Sequence, residues 1–264
     1  LPFGLSDGFA DVQAENVGLD LPEEAASEYT GSSFALFNRA LAARVALYQK
    51  DYEGTLSVLE DSFIDEGRPL TFGTRHIFST NSGDLTNPFF IDPQAAGDVT
   101  VAHPSFIDDI RVDDERESKV VLRDESFSAG DLSADYGFAV YETGTSPIPI
   151  IRNAELLLIR AEANLLKANQ DFDAVRDDLS IISEAAGLGD VSGVADDDLL
   201  DELLYQRRYE LYGEGHRWID VRRLLGQDCT ANTVGTCLND DLPVDESMSE
   251  NVWLQFPIPA TESN

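Results

Sequence analysis

Asn153-Ala154-Glu155-Leu156-Leu157-Leu158-Ile159-Arg160-Ala161-Glu162-Ala163-Asn164-Leu165-Leu166-Lys167-Ala168 decides the fold. Ala154, Leu157, Leu158, Ala161 and Leu165 recur at three- and four-residue intervals, so one side of a helix is apolar and must be covered. The short break Asn169-Gln170-Asp171 leads to a second such stretch over 172–186, with Phe172, Val175, Leu179 and Ile182 on one side. So short a connection returns the chain antiparallel. Gly187 stands where a left-handed C-terminal cap belongs, followed by the apolar Leu188. The pair reads as a helical hairpin.

Two similar units flank it. Downstream, Asp196-Asp197-Asp198 suits a helix N-terminus. Leu199, Leu200, Leu203, Leu204 and Leu211 follow, until Gly213 and Gly215 interrupt the pattern before a last stretch from Trp218 to Leu225. Upstream, Phe34, Phe37, Leu41, Val45 and Tyr48 mark a helix over 33–49, with Ser32 or Ser33 as its cap. Asp51 caps another through Tyr52, Leu56, Leu59 and Phe63. Ala40, Ala43 and Gly54 are small enough to let those two axes approach closely. Units of roughly 30–35 residues have the size of tetratricopeptide repeats, although the full repeat consensus is absent. The expected fold is therefore mostly α: tetratricopeptide-like hairpins in an α-α superhelix, with a long loop-rich insert. Its expected parts are an irregular segment over 1–32, a hairpin over 33–65, the insert over 66–149, helical pairs over 150–226 and an irregular C-terminal segment over 227–264. All belong to one structural domain.

The insert holds Gly, Pro, Asn and Asp with short apolar runs such as Val120-Val121-Leu122 and Phe138-Ala139-Val140-Tyr141. A long non-helical insertion in a helical body is usually functional or disordered. Its aromatic rings, backed by polar side chains, suit a sugar: the ring stacks on a C–H face and polar groups take the hydroxyls. Phe72, Phe78, Phe89, Phe90, Tyr136 and Tyr141 are the candidate ligand-binding residues.

The chain of 264 residues carries 50 Asp and Glu against 18 Lys and Arg, a net charge of -32. Such a surface repels phosphate backbones and anionic lipids, which disfavours nucleic acid and polybasic membrane docking. The 42% hydrophobic content and 14 Phe argue against a disordered acidic tail. Acidic residues are spread along the whole chain, which favours a salt-rich habitat over a patch for a cationic partner. No run approaches the roughly 18–20 apolar residues that span a bilayer. The chain opens on Leu1-Pro2-Phe3, without an initiator Met or a signal-type stretch, and reads as a processed or truncated product.

Catalytic signatures are absent: there is no HExxH, GxSxG or Walker loop. The glycine-rich run 187–193 has one residue too many for a dinucleotide loop and follows a helix, not a strand. His76, His103 and His216 are far apart, so no metal and no cofactor is expected. Acidic residues this numerous always supply a carboxylate pair, so that pair says nothing for a glycosidase. The densest polar constellation runs from Gln206 to Arg223. It reads as a structural charge network of Arg207, Arg208, Glu210, Glu214, Arg217, Asp220 and Arg222, in preference to an anion site, because each cation has a carboxylate near in sequence. Cys229 and Cys237 bracket a loop of small residues, and their spacing supports free thiols and a disulfide equally.

Four segments resemble the SusD/RagB family of surface-exposed outer-membrane lipoproteins, which capture nutrients, mostly glycans, in Bacteroidota-type bacteria. Pro147-Ile148-Pro149-Ile150-Ile151-Arg152-Asn153-Ala154-Glu155 through Ala161-Glu162-Ala163 is similar to its "P-I-I-R-x-A-E…A-E-A" segment. Gln206-Arg207-Arg208-Tyr209-Glu210-Leu211 through Gly215-His216-Arg217-Trp218-Ile219-Asp220-Val221-Arg222-Arg223 is similar to "E-R-R-x-E-L…E-G-x-R-W-x-D-L-x-R", with Gln206 in place of the usual Glu. Phe256-Pro257-Ile258-Pro259 with Glu262 resembles the closing "P-I-P-x-x-E". Ala185-Ala186-Gly187-Leu188 resembles "R-A-G-L". These are scaffold motifs and carry no ligand residue over. The resemblance implies a non-enzymatic protein that docks on a SusC-like TonB-dependent transporter and delivers an oligosaccharide or other nutrient oligomer to it. It also implies a lipid-anchored Cys and further helices upstream of the first pair, and the external location it implies favours a Cys229–Cys237 disulfide. The alternatives are a tetratricopeptide-type interaction scaffold without a small ligand and, after it, a glycoside hydrolase.

Overall fold

The computed structural model describes residues 19–20, 33–97, 99–129 and 132–224. Cys229, Cys237 and the closing Phe256-Pro257-Ile258-Pro259 lie outside them. The chain divides into two compact units, one drawn from Leu1–Ile91, Val112–Arg116 and Val140–Glu214, the other from Asp92–Arg111, Glu117–Ala139 and Gly215–Asn264.

The first unit is the helical one. In chain order it holds β1 (Leu19–Asp20), α1 (Ser33–Tyr48), α2 (Tyr52–Leu59) and β2 (Gly73–His76). The second unit then contributes α3 (Ser105–Asp108), β3 (Val120–Ala129) and β4 (Leu132–Phe138). The first resumes with β5 (Ile148–Arg152), α4 (Asn153–Leu166), α5 (Phe172–Ala185) and α6 (Leu199–Glu210), and α7 (Arg217–Leu224) belongs to the second. The mostly helical, tetratricopeptide-like fold expected from the sequence is the fold observed.

Helix α4 is the centre of the first unit because it is apolar on two sides. Ala154, Leu157, Leu158, Ala161 and Leu165, the stripe legible in the sequence, pack with Val175, Leu179 and Ile182 of α5 and Leu199 and Leu203 of α6. Leu156, Ile159 and Ala163 form a second stripe, which packs with Phe37, Ala40, Ala43 and Leu47 of α1, Leu59 of α2, and Phe63. A helix buried on both sides brings its polar groups inside. Asn153, fully buried, ties the start of α4 to the preceding loop: its Oδ1 accepts from the Asp65 N–H (3.0 Å) and its Nδ2 donates to the carbonyls of Asp65 (2.7 Å) and Arg68 (3.2 Å).

The turns follow from local chemistry. Asp51 caps α2, accepting from the Gly54 N–H at 3.0 Å, and Asp171 caps α5, accepting from Ala174 at 3.2 Å. Gly54 serves this cap and not the spacing of the helix axes, since a β-carbon there would lie 2.2 Å from the Asp51 carboxylate. Helix α5 ends in a Schellman turn: the N–H of Gly187 donates to Glu184 (3.1 Å) and that of Leu188 to Ser183 (3.0 Å), with Gly187 at φ +83°. Helix α1 ends the same way with Lys50 at φ +62°, donating to Leu47 (2.9 Å) while Asp51 donates to Ala46 (3.0 Å). A small antiparallel sheet of order β1-β2-β5 leads straight into α4, because β5 and α4 are continuous at Arg152–Asn153.

The second unit is built on the β3–β4 hairpin. Val120 pairs with Phe138 and Leu122 with Tyr136, but the register slips between Leu122 and Phe127, which pairs with Ala134. Gln94 occupies the interruption. Its Nε2 donates to the Leu122 carbonyl (2.9 Å) and its Oε1 accepts from the Asp124 N–H (3.0 Å). Arg123 meanwhile donates to the carbonyls of Pro93 and Ala95. In α7, the Arg223 guanidinium pairs with Asp220 at 2.8 Å.

Candidate functional site

The insert aromatics divide by burial. Phe72 is a correction: it belongs to the core, only 6% exposed, edge-on to Phe63 at 5.8 Å and covered by the Arg68 guanidinium at 4.6 Å. It faces no solvent and leaves the candidate ligand face. Tyr136 sits half-buried on β4, opposite Leu122, in the second unit. Phe78 is half-buried at the end of β2, its ring edge-on to His76 at 4.6 Å.

Phe89 and Tyr141 form the most developed constellation. Their rings stack at 6.4 Å and 27°, Tyr141 buried at 6% exposure and Phe89 open at 59%. Tyr141 is thus the floor under a ring whose other surface meets solvent. Burial, with a smaller push from the charge of Glu214, holds the Tyr141 phenol above its ordinary range, so it stays neutral. Phe90 is half-buried next to them, its N–H donated to the Asn87 carbonyl at 3.3 Å.

Two loops carry these rings, and Asn87 fastens one to the other. Its N–H donates to the Gly144 carbonyl (2.7 Å), its Nδ2 to the Ser146 carbonyl (2.8 Å), and its Oδ1 accepts from the Phe89 N–H (2.8 Å). Only 3% of Asn87 is exposed. The second loop is closed by the Ser146 hydroxyl, which accepts from the N–H groups of Glu142 (3.1 Å) and Thr143 (3.0 Å). Thr143 and Thr145 bring their hydroxyls to the exposed rim, 3.1 Å apart. The platform is therefore fixed before any ligand arrives.

Charge is scarce here. Residues 77–91 contain only Asp84 and residues 141–150 only Glu142, in a chain that is 26% charged. Rings, hydroxyls and amides can stack on a sugar and exchange hydrogen bonds with its hydroxyls. Among the described residues no group of three or more His, Cys, Asp or Glu is arranged to hold a metal ion.

The polar constellation near the end of α6 is tied to a strand distant in sequence. Glu210 and Glu214 hold Arg152 of β5: its Nη1 donates to Glu210 Oε1 and its Nη2 to Glu214 Oε1, each at 2.7 Å, with a third bond from Nη2 to the Glu210 carbonyl at 2.7 Å. Burial works against the Arg152 charge, but the two carboxylates outweigh it and keep the guanidinium protonated. Arg207 is buried near Glu162 of α4 (3.9 Å), and Arg208 lies over the Tyr209 ring at 5.3 Å. Arg217, Asp220 and Arg222 belong to α7 in the second unit. Gln206 accepts from Arg116 Nη1 (2.7 Å) and donates to Glu202 (2.8 Å).

A family model described as the SusD family matches residues 127–260, half of the chain. Among solved structures, the chain resembles a SusD superfamily protein from Parabacteroides distasonis with a TM-score of 0.51 and 18% identity, over 70% of this chain and 51% of that one. It likewise resembles surface glycan-binding protein A from Bacteroides uniformis, with a TM-score of 0.51 and 19% identity, over 81% of this chain and 55% of that one. At such identities the likeness is one of fold, and the chain spans about half the length of the structures it matches. No curated protein matches it in sequence.

Proposed function

The chain belongs to the SusD family, and from that premise we propose that it captures an oligosaccharide nutrient and passes it, chemically unaltered, to a SusC-like TonB-dependent transporter. It acts at the outer face of the outer membrane as a lipoprotein, and it binds no nucleic acid. The observation that carries this reading for the present chain is Phe89: a ring open to solvent and backed by a buried ring, on loops that Asn87 holds in place. Such a surface suits the C–H face of a sugar. Family membership and the glycan-binding name of one structural relative support the same direction.

A glycan array with the purified protein tests it. Binding to at least one polysaccharide, with no reducing sugar released on prolonged incubation, is the expected result. Absence of binding to every glycan, together with stable co-purification with the transporter, would instead favour a pure interaction scaffold. Release of reducing sugar would make it a hydrolase.

A further inference from the structure

We propose that the Phe89–Tyr141 platform selects uncharged oligosaccharides over both anionic and cationic ones; this rests on the glycan-binding reading above. Three observations meet here. The two loops that build the platform carry Asp84 and Glu142 as their only charges, while the chain as a whole has a net charge of -32. A chain that is 26% charged would place about six charged residues in these 25 positions, so the loops are poor in charge of either sign.

Neither loop carries a Lys or Arg of its own. Arg152, just after the second loop, is buried and matched by Glu210 and Glu214. Arg75, just before the first, is half-buried on β2 and lies outside both loops. A uronate or sulfated glycan would therefore approach through a repulsive field and find no guanidinium or ammonium from these loops to receive its charge. A cationic oligomer would be drawn to the protein by that same field, but the platform gives it few carboxylates to settle on.

What remains is contact that does not depend on charge. Phe89 offers one open ring face, and the Thr143 and Thr145 hydroxyls sit on the loop that Asn87 clamps beside it. A pyranose stacked on that ring keeps its hydroxyls directed outward, toward the hydroxyl rim. Affinity of this kind is nearly independent of ionic strength, because no counterion is displaced.

Calorimetry separates the outcomes. The protein is titrated with a panel of neutral gluco-, manno- and xylo-oligosaccharides, with oligogalacturonates, and with chitosan oligomers, at 0.15 M and 1 M NaCl. The expected result is binding to a neutral oligomer with Kd constant within about twofold between the two salts. Phe89→Ala, a change at an exposed ring that should leave the circular dichroism spectrum intact, is expected to weaken that binding by at least about tenfold. Preferential binding of a uronate or of chitosan, with a Kd that moves about tenfold or more with salt or that survives Phe89→Ala, overturns the neutral-selection proposal and leaves glycan binding standing. Failure of every oligomer, charged or neutral, overturns both.

Discussion

Arg116 and Gln206 meet at 2.7 Å, Nη1 donating to Oε1, although ninety residues separate them. Asp114 grips the same guanidinium in a bidentate pair (2.8 and 2.7 Å), while the Gln206 Nε2 turns to Glu202 at 2.8 Å. The amide answers a cation with its oxygen and a carboxylate with its nitrogen. A Glu at this position could do only the first. Gln206→Glu should therefore lower stability at pH 7 by about 1–3 kcal/mol in urea denaturation. The deficit should shrink near pH 4, where a protonated carboxyl can again donate to Glu202. Undiminished stability at pH 7 would show that the dual role is wrong.

Arg152 is the next test. Removing it by Arg152→Ala strands Glu210 and Glu214 in a buried setting, and the cost should be about 3–5 kcal/mol by thermal unfolding. Adding Glu210→Gln and Glu214→Gln to the same variant should restore part of the loss. No restoration would mean that the guanidinium acts by packing and not by charge.

Asp178 predicts a pH dependence. Its carboxyl is buried on α5 and accepts from Arg160 Nε at 3.0–3.1 Å, with Glu66 and Asp177 as the other charges acting on it. Burial, reinforced by those two carboxylates and opposed by Arg160, pushes it up to about 6 from the ordinary 3.8. A carboxyl that holds its proton more tightly folded than unfolded favours folding at low pH, and that contribution fades as pH rises through about 6. The difference in melting temperature between the parent and Asp178→Asn should accordingly change between pH 4 and 6.5 and be flat above. A difference independent of pH across that window would refute the assignment.

The two Schellman turns differ in their left-handed residue. Lys50 occupies that conformation with a β-carbon, whereas Gly187 does so without one. Lys50→Gly should stabilise by roughly 0.5–1 kcal/mol. Gly187→Ala should destabilise by roughly 1–2 kcal/mol, since its β-carbon would also come within 3.2 Å of the Glu115 side chain. Chemical denaturation of the pair reads both signs at once.

A net charge of -32 makes a general prediction. Self-repulsion among surface carboxylates weakens as the screening length falls from about 8 Å at 0.15 M to about 3 Å at 1 M salt. The melting temperature should rise over that range in NaCl, and equal stability at both concentrations would remove the salt-rich habitat from consideration.

The helices were legible because each buries a stripe at helical spacing, and because Asp51, Asp171 and Gly187 mark their ends by local chemistry. The second stripe of α4, Leu156-Ile159-Ala163, is silent in the sequence: once one apolar side explains a hairpin, nothing local announces that a further layer needs the other. The β3–β4 hairpin was hidden by its slipped register, which places Arg123, Asp124 and Glu125 where alternation should continue. Partners remote in the chain were out of reach altogether. Glu210 and Glu214 suggested Arg207 by proximity, yet they hold Arg152, some sixty residues earlier. Aromatic composition could not distinguish Phe72, sealed under Arg68, from Phe89, open above Tyr141.

Gln94 has a consequence for how these molecules behave in company. A strand whose backbone amides and carbonyls go unanswered is a template on which a neighbouring molecule can lay down its own strand. By occupying the Leu122 carbonyl and the Asp124 amide with one side chain, Gln94 removes that template where the hairpin is most interrupted. The protection is geometric, so it persists in brine strong enough to silence the mutual repulsion of the carboxylates. Colloidal stability then has two independent guards, and only one of them dissolves in salt.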